Sequence, residues 1–222
     1  MKTKIPRWGR PLFPRDTIAP LCCTLFFQML VYLGTKLLMQ GVPHYNLESG
    51  LDLRIPFLPW TVCIYIGAFL YWFIAVVVIL RGERENALRF LCAHMVSLVT
   101  ALVFFLLLPT TNTRPALTGG GFFEWCMGLI YALDTPDNLF PSLHCELSWL
   151  CWRSLTRVKG VSKFWKGIAL VFTLLVFVST QTTKQHILID VAAGWLLGEL
   201  AYRACGSRKF TKPFYQVFDR PR

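Results

Sequence analysis

His186 and Asp190 are the two residues of this 222-residue chain whose types and spacing most directly indicate chemistry. They lie four positions apart at the start of an apolar stretch that continues to about Tyr202, and on a helix this spacing places both on one face. An ionisable pair at the edge of a membrane span is costly and therefore indicates a functional site. A second histidine, His144, opens another apolar segment after a Pro-Ser-Leu sequence. Two such histidines, one beside a carboxylate, predict chemistry on a phosphate ester at a membrane surface.

A neutral imidazole can attack phosphorus and form a covalent intermediate. For this role one ring nitrogen must be free, while Asp190 accepts the N–H of the other, fixes the tautomer and stabilises developing positive charge. The second histidine can protonate the leaving alcohol and then deprotonate the incoming acceptor. The residue types alone allow either histidine to be the nucleophile. The neighbouring carboxylate favours His186, with His144 as the acid and base.

Four further residues are predicted to bind the substrate. The planar guanidinium of Arg114 matches phosphate oxygens in a way that a lysine does not. Ser142 and the N–H groups at the start of its segment can bind the remaining oxygens, although Ser142 is also typical of a helix N-cap. Lys184 can add positive charge beside the nucleophile, and Asn138 lies in the polar segment just before Ser142. This scheme needs no metal and no cofactor.

Long apolar blocks must position these residues. The chain is 55% hydrophobic and only 16% charged, with a mean hydropathy of +0.48, and this exceeds the apolar share of an ordinary soluble domain. Blocks of about twenty residues are long enough to cross a bilayer core. We predict six membrane spans: Ile18 to Met39, Phe57 to Leu80, Phe90 to Leu108, Leu143 to Leu155, Gly167 to Thr180 and His186 to Tyr202. The predicted fold class is all-α, a polytopic six-helix membrane bundle that forms a single domain over residues 1–222.

Basic residues indicate the orientation of these spans. Most of the 23 Lys and Arg residues fall in the two terminal tails, in the loop after the second span, and between the fourth and fifth spans. The positive-inside rule places these regions, and so both termini, in the cytoplasm. It also supports the fourth span, which is short and contains Glu146 and Arg153. The predicted site then lies on the outer face of a membrane, which we expect to be the plasma membrane.

The outer loop between the third and fourth spans contains a further predicted helix. Its stretch Phe122 to Leu133 is apolar and rich in aromatic residues, but it is too short to cross a bilayer. We therefore predict a helix that lies in the membrane interface.

Charge and cysteine content exclude other classes of protein. The net charge of +11 is explained mainly by topology, with attraction to anionic membrane lipids as a secondary consequence, and it does not indicate nucleic acid binding. The eight cysteines lie mostly inside apolar blocks, where cysteine acts as a small hydrophobic residue. Their spacing is not that of a metal site.

Two ionisable residues inside the spans are interpreted as structural. Glu146 points to a different helix face from His144, because the two are only two positions apart, and we expect Arg153 to be its partner. His94, in the third span, is expected to be hydrogen-bonded within the bundle.

Three segments on the outer side together resemble the type 2 phosphatidic acid phosphatase (PAP2) superfamily. That superfamily carries a Lys-x6-Arg-Pro motif, a Pro-Ser-Gly-His motif and a Ser-Arg-x5-His-x3-Asp motif. The matching residues are Arg114-Pro115 for the first motif, Pro141-Ser142-x-His144 for the second, with Leu143 in place of Gly, and Ser179, His186 and Asp190 for the third. The resemblance implies a catalytic core at about residues 88–205, with His186 as the nucleophile and His144 as the acid and base.

Two positions depart from the pattern of the superfamily. Leu107 stands where the first motif has Lys, and Thr180 stands where the third has Arg. Because both missing groups usually bind phosphate, Lys184 is expected to supply replacement charge, as basic residues beside this histidine do in sphingomyelin-synthase-like relatives. A less cationic pocket favours a pyrophosphate or phosphodiester head group over a free monoester dianion. The segment from Asp134 to His144 is more similar to the inositol-phosphotransferase branch than to the plain phosphatase branch.

We therefore expect a membrane lipid phosphatase or phosphotransferase that acts on a lipid phosphate, pyrophosphate or phosphodiester through a phosphohistidine intermediate. Hydrolysis and transfer share the first half-reaction and differ in whether water or an alcohol attacks next. The alternative is a non-catalytic lipid-binding or transport protein on a degenerate fold of the same superfamily, and the lost Lys and Arg equivalents support it. The expected partners are a lipid phosphate substrate and the surrounding membrane lipids, while the sequence favours no particular oligomeric state.

Overall fold

A computed structural model describes residues 11–218 of the chain, which are mostly helical. In chain order the elements are α1 (Arg15–Leu38), β1 (Tyr45–Asn46), α2 (Gly50–Arg54), a 3-10 turn (Pro59–Thr61), α3 (Val62–Leu80), α4 (Arg84–Leu107), β2 (Thr110–Thr111), α5 (Phe122–Leu133), α6 (Leu143–Arg157), α7 (Lys163–Thr182), α8 (Leu188–Ala204) and α9 (Arg208–Phe218). The two short strands pair in parallel and connect the loop after α1 with the loop after α4. The basic residues at positions 2–10 and 220–222, on which the predicted location of the termini partly depends, lie outside the described residues.

Four helices of the described chain are long and apolar enough to cross a membrane, namely α1, α3 with the turn before it, α4 and α7. Helices α6 and α8 have 15 and 17 residues, fewer than the about twenty residues that a bilayer core requires. Each predicted span coincides with a helix, but six crossings remain a prediction. A helix also forms over Phe122–Leu133, and its position in the membrane interface remains a prediction as well.

The helix at the sixth predicted span, α8, starts later than predicted. α8 begins at Leu188, so His186 precedes the helix and does not share a helical face with Asp190. The His186 N–H donates to the carbonyl of Thr180 at 2.9 Å and closes a tight turn from the end of α7. Backbone hydrogen bonding therefore keeps this histidine outside the helix, although hydropathy alone places it at the start of the span.

The short helix α6 lies at the centre of the bundle and packs on α3, α4, α7 and α8, while α1 packs along α4. The core beneath α6 contains large side chains that are almost fully buried, including Ile79, Phe90, Leu150 and Tyr202. Since lipid tails are as apolar as these side chains, the close packing of helices and their polar contacts stabilise such a bundle. A central α6 positions any residue at its start between the other helices.

Two glycines allow α6 and α8 to approach each other closely. A Cβ atom on Gly194 would overlap the carbonyl oxygen of Ser142, and one on Gly198 would lie 3.1 Å from the carbonyl oxygen of Glu146. Small residues four positions apart are typical of close contacts between membrane helices. This contact brings the first turn of α8 against the first turn of α6.

Inside the bundle, the partner of Glu146 is His94 and not Arg153. The His94 Nδ1 lies 3.1 Å from Glu146 Oε2, and its Nε2 lies 3.2 Å from Gln28 Oε1. The prediction that His94 is hydrogen-bonded within the bundle is confirmed, and the predicted pairing of Glu146 with Arg153 is wrong. Arg153 lies two helical turns further along α6 and instead binds Glu199 at 2.8 Å.

Candidate active site

The first turn of α6 presents His144 at one end of the bundle. Ser142 is the N-cap of this helix, and its Oγ accepts a hydrogen bond from the N–H of Cys145 at 3.3 Å. The Ser142 N–H donates to the carbonyl of Asp190 at 3.1 Å. The N-cap interpretation of Ser142 is thus confirmed, and the same residue joins the starts of α6 and α8.

Asp190 lies in the first turn of α8 and is completely buried. One of its oxygens, Oδ2, accepts the N–H of Ile187 at 3.1 Å and also lies 3.4 Å from Nδ1 of His186. Carboxylates are stabilised at helix N-termini by the free N–H groups and the helix dipole. The buried carboxyl group thus lies at the start of α8, close to the imidazole ring of His186.

The two histidine rings meet at this end of the bundle. The Nε2 of His186 lies 3.5 Å from Nδ1 of His144, and the ring centroids are 5.5 Å apart. The Nδ1 of His186 lies 3.4 Å from the nearest Asp190 oxygen, which is a close contact but not an aligned hydrogen bond. In the Nδ1–H tautomer, His186 has a free electron pair on Nε2. The arrangement therefore contains a nucleophilic nitrogen, a carboxylate behind it and a second titratable ring in front of it.

Aromatic side chains of α3 form a wall around His144. The Tyr65 ring stacks on the His144 ring with a centroid distance of 4.8 Å, and Phe69 and Trp72 contact its other sides at 6.3 and 5.5 Å. The Tyr65 hydroxyl in turn donates to Asp134 at 3.3 Å. These contacts restrict the movement of the imidazole ring on the side of α3.

Arg114 is anchored by protein groups on both branches of its guanidinium. Nη1 donates to the carbonyl of Asp134 at 2.6 Å, Nη2 donates to Gln185 Oε1 at 2.8 Å, and the group lies over the Tyr131 ring at 4.5 Å. Desolvation lowers the pKa of Arg114, while the Asp134 carboxylate opposes the shift. Arg114 thus fixes a positive charge next to the residue that precedes His186.

Lys184 and Asn138 bind other parts of the chain. Lys184 Nζ donates to the carbonyls of Asp52 and Ile55, at 3.0 and 2.6 Å. Asn138 Nδ2 donates to Thr35 Oγ1 at 2.9 Å on α1. Both residues adopt positive φ angles, 54° for Lys184 and 55° for Asn138. The structure brings His144, His186, Asp190 and Ser142 together, but the described contacts of Lys184 and Asn138 are made elsewhere.

Comparison with known families identifies the family to which the chain belongs. The family model described as the PAP2 superfamily matches residues 44–204, which is most of the chain. The chain belongs to the PAP2 superfamily. Members of this superfamily are generally phosphatases, so membership is consistent with an enzyme. No curated protein and no solved structure matched the chain.

The two departures from the PAP2 motifs have different surroundings. Leu107, at the end of α4, is 77% exposed, whereas Thr180 is completely buried. The carbonyl of Thr180 accepts the N–H groups of both Gln185 and His186. Thr180 therefore holds the turn that carries His186, while its side chain carries no charge for a phosphate.

Three residues of this PAP2 site were missed by sequence reasoning. Tyr65 and Gln185 contact predicted site residues directly, and Asp134 accepts the hydroxyls of Tyr32 and Tyr65 at 2.6 and 3.3 Å. Asp134 begins a polar Asp-Thr-Pro-Asp-Asn sequence that indicates a turn, and a tyrosine inside an apolar span is a weak signal for a polar partner. Neither signal identifies a contact across so many residues of sequence.

Another missed residue, Asp52, does have a local signal. Ser49 and Asp52 form a capping box at the start of α2, a pattern of residue types three positions apart. Asp52 Oδ1 also accepts the N–H of Leu188 at 2.7 Å, so it binds the start of α8.

Among residues 11–218, no group of three His, Cys, Asp or Glu side chains is arranged to hold a metal ion.

Proposed function

We propose that this PAP2 protein is a membrane lipid phosphatase or phosphotransferase that forms a phosphohistidine on His186. One observation carries the proposal: the imidazoles of His186 and His144 are in contact at 3.5 Å, with Asp190 3.4 Å behind His186. A nucleophile, an orienting carboxylate and an acid–base group are the three parts that a covalent phosphoryl transfer requires.

In the first half-reaction, Nε2 of His186 attacks phosphorus and forms a P–N bond. The P–O bond to the leaving group breaks, and protonated His144 transfers its proton to that oxygen. Asp190 retains the proton on Nδ1 by electrostatic attraction and stabilises the positive charge that develops on the ring. Because the two rings are in contact, the phosphoryl group must approach along their shared outer edge or move one of them aside.

In the second half-reaction, neutral His144 removes a proton from water or from an alcohol. The resulting oxygen attacks phosphorus, the P–N bond breaks, and Nε2 of His186 regains its electron pair. His144 ends the cycle protonated, ready for the next leaving group. The acceptor therefore decides between phosphatase and phosphotransferase activity, while the same residues serve both.

Fixed dipoles and charges are expected to stabilise the phosphoryl oxygens during both steps. The first-turn N–H groups of α6 form a helix N-terminus, which is a natural anion site, and Ser142 caps that terminus. Arg114 supplies a charge that its protein contacts have already oriented. Such preoriented groups contribute most of the rate enhancement in many enzymes.

The proposed substrate is a pyrophosphate or phosphodiester lipid, as in the inositol-phosphotransferase and sphingomyelin-synthase-like branch. Two observations support it. Neutral residues occupy the usual Lys and Arg positions, at Leu107 and Thr180, and the Lys184 ammonium donates to backbone carbonyls. A pocket with little unpaired positive charge binds a monoester dianion less well than a head group that carries its charge in another form.

The proposed orientation in the membrane has α6 and α8 as the fourth and sixth spans, both termini in the cytoplasm and the histidines at the outer face of the plasma membrane. The distribution of basic residues supports it. The interfacial position of α5 is supported by exposed aromatic side chains, since Phe122 is 68% and Trp125 is 62% exposed.

A second candidate is a non-catalytic lipid-binding or transport protein. The observation that favours it is that both predicted phosphate-binding cations, Arg114 and Lys184, donate to protein acceptors. In this case the histidines would bind a head group without forming a bond to phosphorus.

One experiment separates the two candidates. The purified protein is assayed in detergent with lipid phosphates, isoprenyl pyrophosphates and phosphodiester lipids, and His186→Ala is compared with the matched variant His94→Gln. We expect the wild type and His94→Gln to release phosphate or form a new lipid and to yield an acid-labile phosphohistidine, and His186→Ala to do neither. Equal turnover by the wild type and His186→Ala, or turnover by neither, would support the non-catalytic candidate.

A further inference from the structure

Three arginines contact the Tyr202 ring at the end of the bundle opposite the two histidines, and a fourth follows Tyr202 in the chain. The guanidinium carbons of Arg89, Arg153 and Arg157 lie 4.0, 5.1 and 6.0 Å from the centroid of the Tyr202 ring. Arg203 is the next residue along α8. These four arginines, called the arginine cluster below, come from the start of α4 and the ends of α6 and α8.

The contacts within the arginine cluster leave much of its charge unbalanced. Arg153 and Arg203 both bind Glu199, at 2.8 and 2.6 Å. Arg89 donates to the carbonyl of Tyr202, which is neutral, at 3.0 and 2.6 Å. Glu199 is the one carboxylate that a described contact joins to any of the four. The side chain of Arg157 makes no hydrogen bond or ion pair with any residue in the described part of the chain.

Helix dipoles account for only part of this charge. Four arginines and one glutamate carry three excess positive charges. The C-termini of α6 and α8 each contribute about half a negative charge, and the N-terminus of α4 contributes about half a positive charge. More than two positive charges therefore remain in one partly buried cluster, where mutual repulsion is screened less than at an open surface.

Caps at helix C-termini provide a simpler explanation for some of these residues. Capping explains Arg89, which donates to a last-turn carbonyl of α8. Pairing with Glu199 explains Arg153 and Arg203. The C-terminal position explains Arg157 only through the dipole of α6, of which it is the last residue. Its side chain is exposed, donates to no carbonyl among the described residues, and lies over an aromatic ring that Arg89 and Arg153 already contact. A fourth cation in this position raises the repulsion unless an anion binds there.

We propose that the arginine cluster binds the phosphate group of an anionic lipid in the membrane leaflet opposite the histidines, which is the cytoplasmic leaflet in the proposed orientation. Basic pockets between helices on the cytoplasmic side of membrane proteins bind such head groups. Arginine is suited to this role because its planar fork binds two phosphate oxygens at once. The side chain of Arg203 is 72% exposed, so the cluster can be reached from the membrane surface. This site does not depend on the proposed catalytic activity.

The test uses the full chain in neutral detergent. Phosphatidylserine is added in increasing amounts, with phosphatidylcholine of the same acyl chains as the reference, and the melting temperature and the bound lipids seen by native mass spectrometry are recorded. We expect phosphatidylserine to bind and raise the melting temperature, because a ligand that binds only the folded state stabilises it. Arg157→Gln should weaken the apparent affinity about fivefold, and Arg157→Gln with Arg203→Gln about twenty-fivefold, since each basic residue near an anionic lipid surface contributes about 1 kcal/mol.

The matched control is Lys163→Gln, which removes one charge at the start of α7 at the same end of the bundle. It should bind phosphatidylserine as the wild type does. Melting temperatures in phosphatidylcholine alone show whether each variant is folded. Unchanged binding by Arg157→Gln, or an equal loss in Lys163→Gln, would contradict the proposed site. Equal stabilisation by glycerol phosphate would assign the cluster to a soluble phosphate and overturn the assignment to a lipid.

Discussion

Two histidine–carboxylate pairs occur in this protein, and they differ in what the second ring nitrogen meets. His186 with Asp190 and His94 with Glu146 are equally buried, with histidine exposures of 7% and 4% and no exposure of either carboxylate. The nitrogen–oxygen distances are 3.4 and 3.1 Å. The Nε2 of His94 is occupied by Gln28 at 3.2 Å, whereas the Nε2 of His186 faces a second imidazole at 3.5 Å.

This difference separates a structural pair from a candidate catalytic pair. Burial beside a carboxylate orients either ring, but a ring can attack a substrate only through a nitrogen whose electron pair is available. In His94 the second nitrogen contacts the Gln28 amide, whereas in His186 it contacts the other titratable ring of the candidate site. Position reinforces the difference, because His94 lies inside α4 and joins three helices, whereas His186 lies in the turn before α8. A buried histidine–carboxylate pair is therefore not evidence for catalysis until the other nitrogen is accounted for.

The largest expected difference between the two pairs is in kcat, when each carboxylate is replaced in turn by its amide. Asp190→Asn should lower kcat by about a thousandfold or more, since loss of the orienting carboxylate favours the wrong tautomer of the nucleophile. Glu146→Gln should change kcat by less than about threefold and lower the free energy of unfolding by about 1–2 kcal/mol, in the range measured for polar contacts between membrane helices. Turnover assays and thermal unfolding in detergent measure both quantities. Similar losses of kcat in the two variants would remove the distinction between the pairs.

A second pair of variants tests the two contacts between α6 and α8. Gly194→Ala places a methyl group against the Ser142 carbonyl, next to the candidate catalytic pair, and should lower kcat by about a hundredfold, because small displacements of reacting groups are costly. Gly198→Ala places its methyl group 3.1 Å from the Glu146 carbonyl oxygen, next to the structural pair. It should lower the melting temperature by a few degrees and leave kcat within about threefold. The opposite ranking of the two variants in kcat would show that the contact near Ser142 does not position the histidines.

The aromatic wall of His144 provides a smaller test. Tyr65→Phe keeps the ring that stacks on His144 and removes only the hydroxyl that donates to Asp134, so kcat/KM should fall about fivefold, equivalent to one net hydrogen bond. Tyr71→Phe is the matched control, because the Tyr71 hydroxyl contacts Thr173 at 3.0 Å on the other side of α3. Steady-state kinetics on both variants measure the difference. An unchanged kcat/KM for Tyr65→Phe would show that Asp134 has no influence on the orientation of His144 through Tyr65.

Local patterns in the sequence predicted the parts of this protein that depend on local physics. Continuous apolar blocks predicted where the long helices lie, and the stretch Phe122–Leu133 is helical at the predicted bounds. The Pro-Ser-x-His segment and the His-x3-Asp spacing predicted which residues meet, because each stands at the boundary of an apolar block, while the side of the membrane stays a prediction. Ser142 was predicted as an N-cap from its type and position alone.

The remaining features depend on contacts between distant segments, which no local pattern encodes. Lys184 binds carbonyls about 130 residues earlier in the chain, and Arg114 binds Gln185, so neither cation has the environment that its place in a motif suggests. His94 and Glu146 lie on different helices, and their pairing follows from the packing of α4 on α6. α8 starts after His186, later than the predicted span, because the Thr180 carbonyl holds the preceding turn. Hydropathy does not measure this backbone effect.

The smallest expected effect comes from removing the partner that occupies the second nitrogen of His94. Gln28→Met keeps a side chain of similar length on α1 but leaves His94 Nε2 without its hydrogen bond, so the free energy of unfolding should fall by about 1 kcal/mol. Turnover should not change, because α1 contributes no group to the chemistry at His186. Thermal unfolding and steady-state assays on one preparation measure both. A loss of turnover larger than about threefold in Gln28→Met would mean that the His94 pair influences the catalytic pair through α6, and the two pairs would then form one connected network.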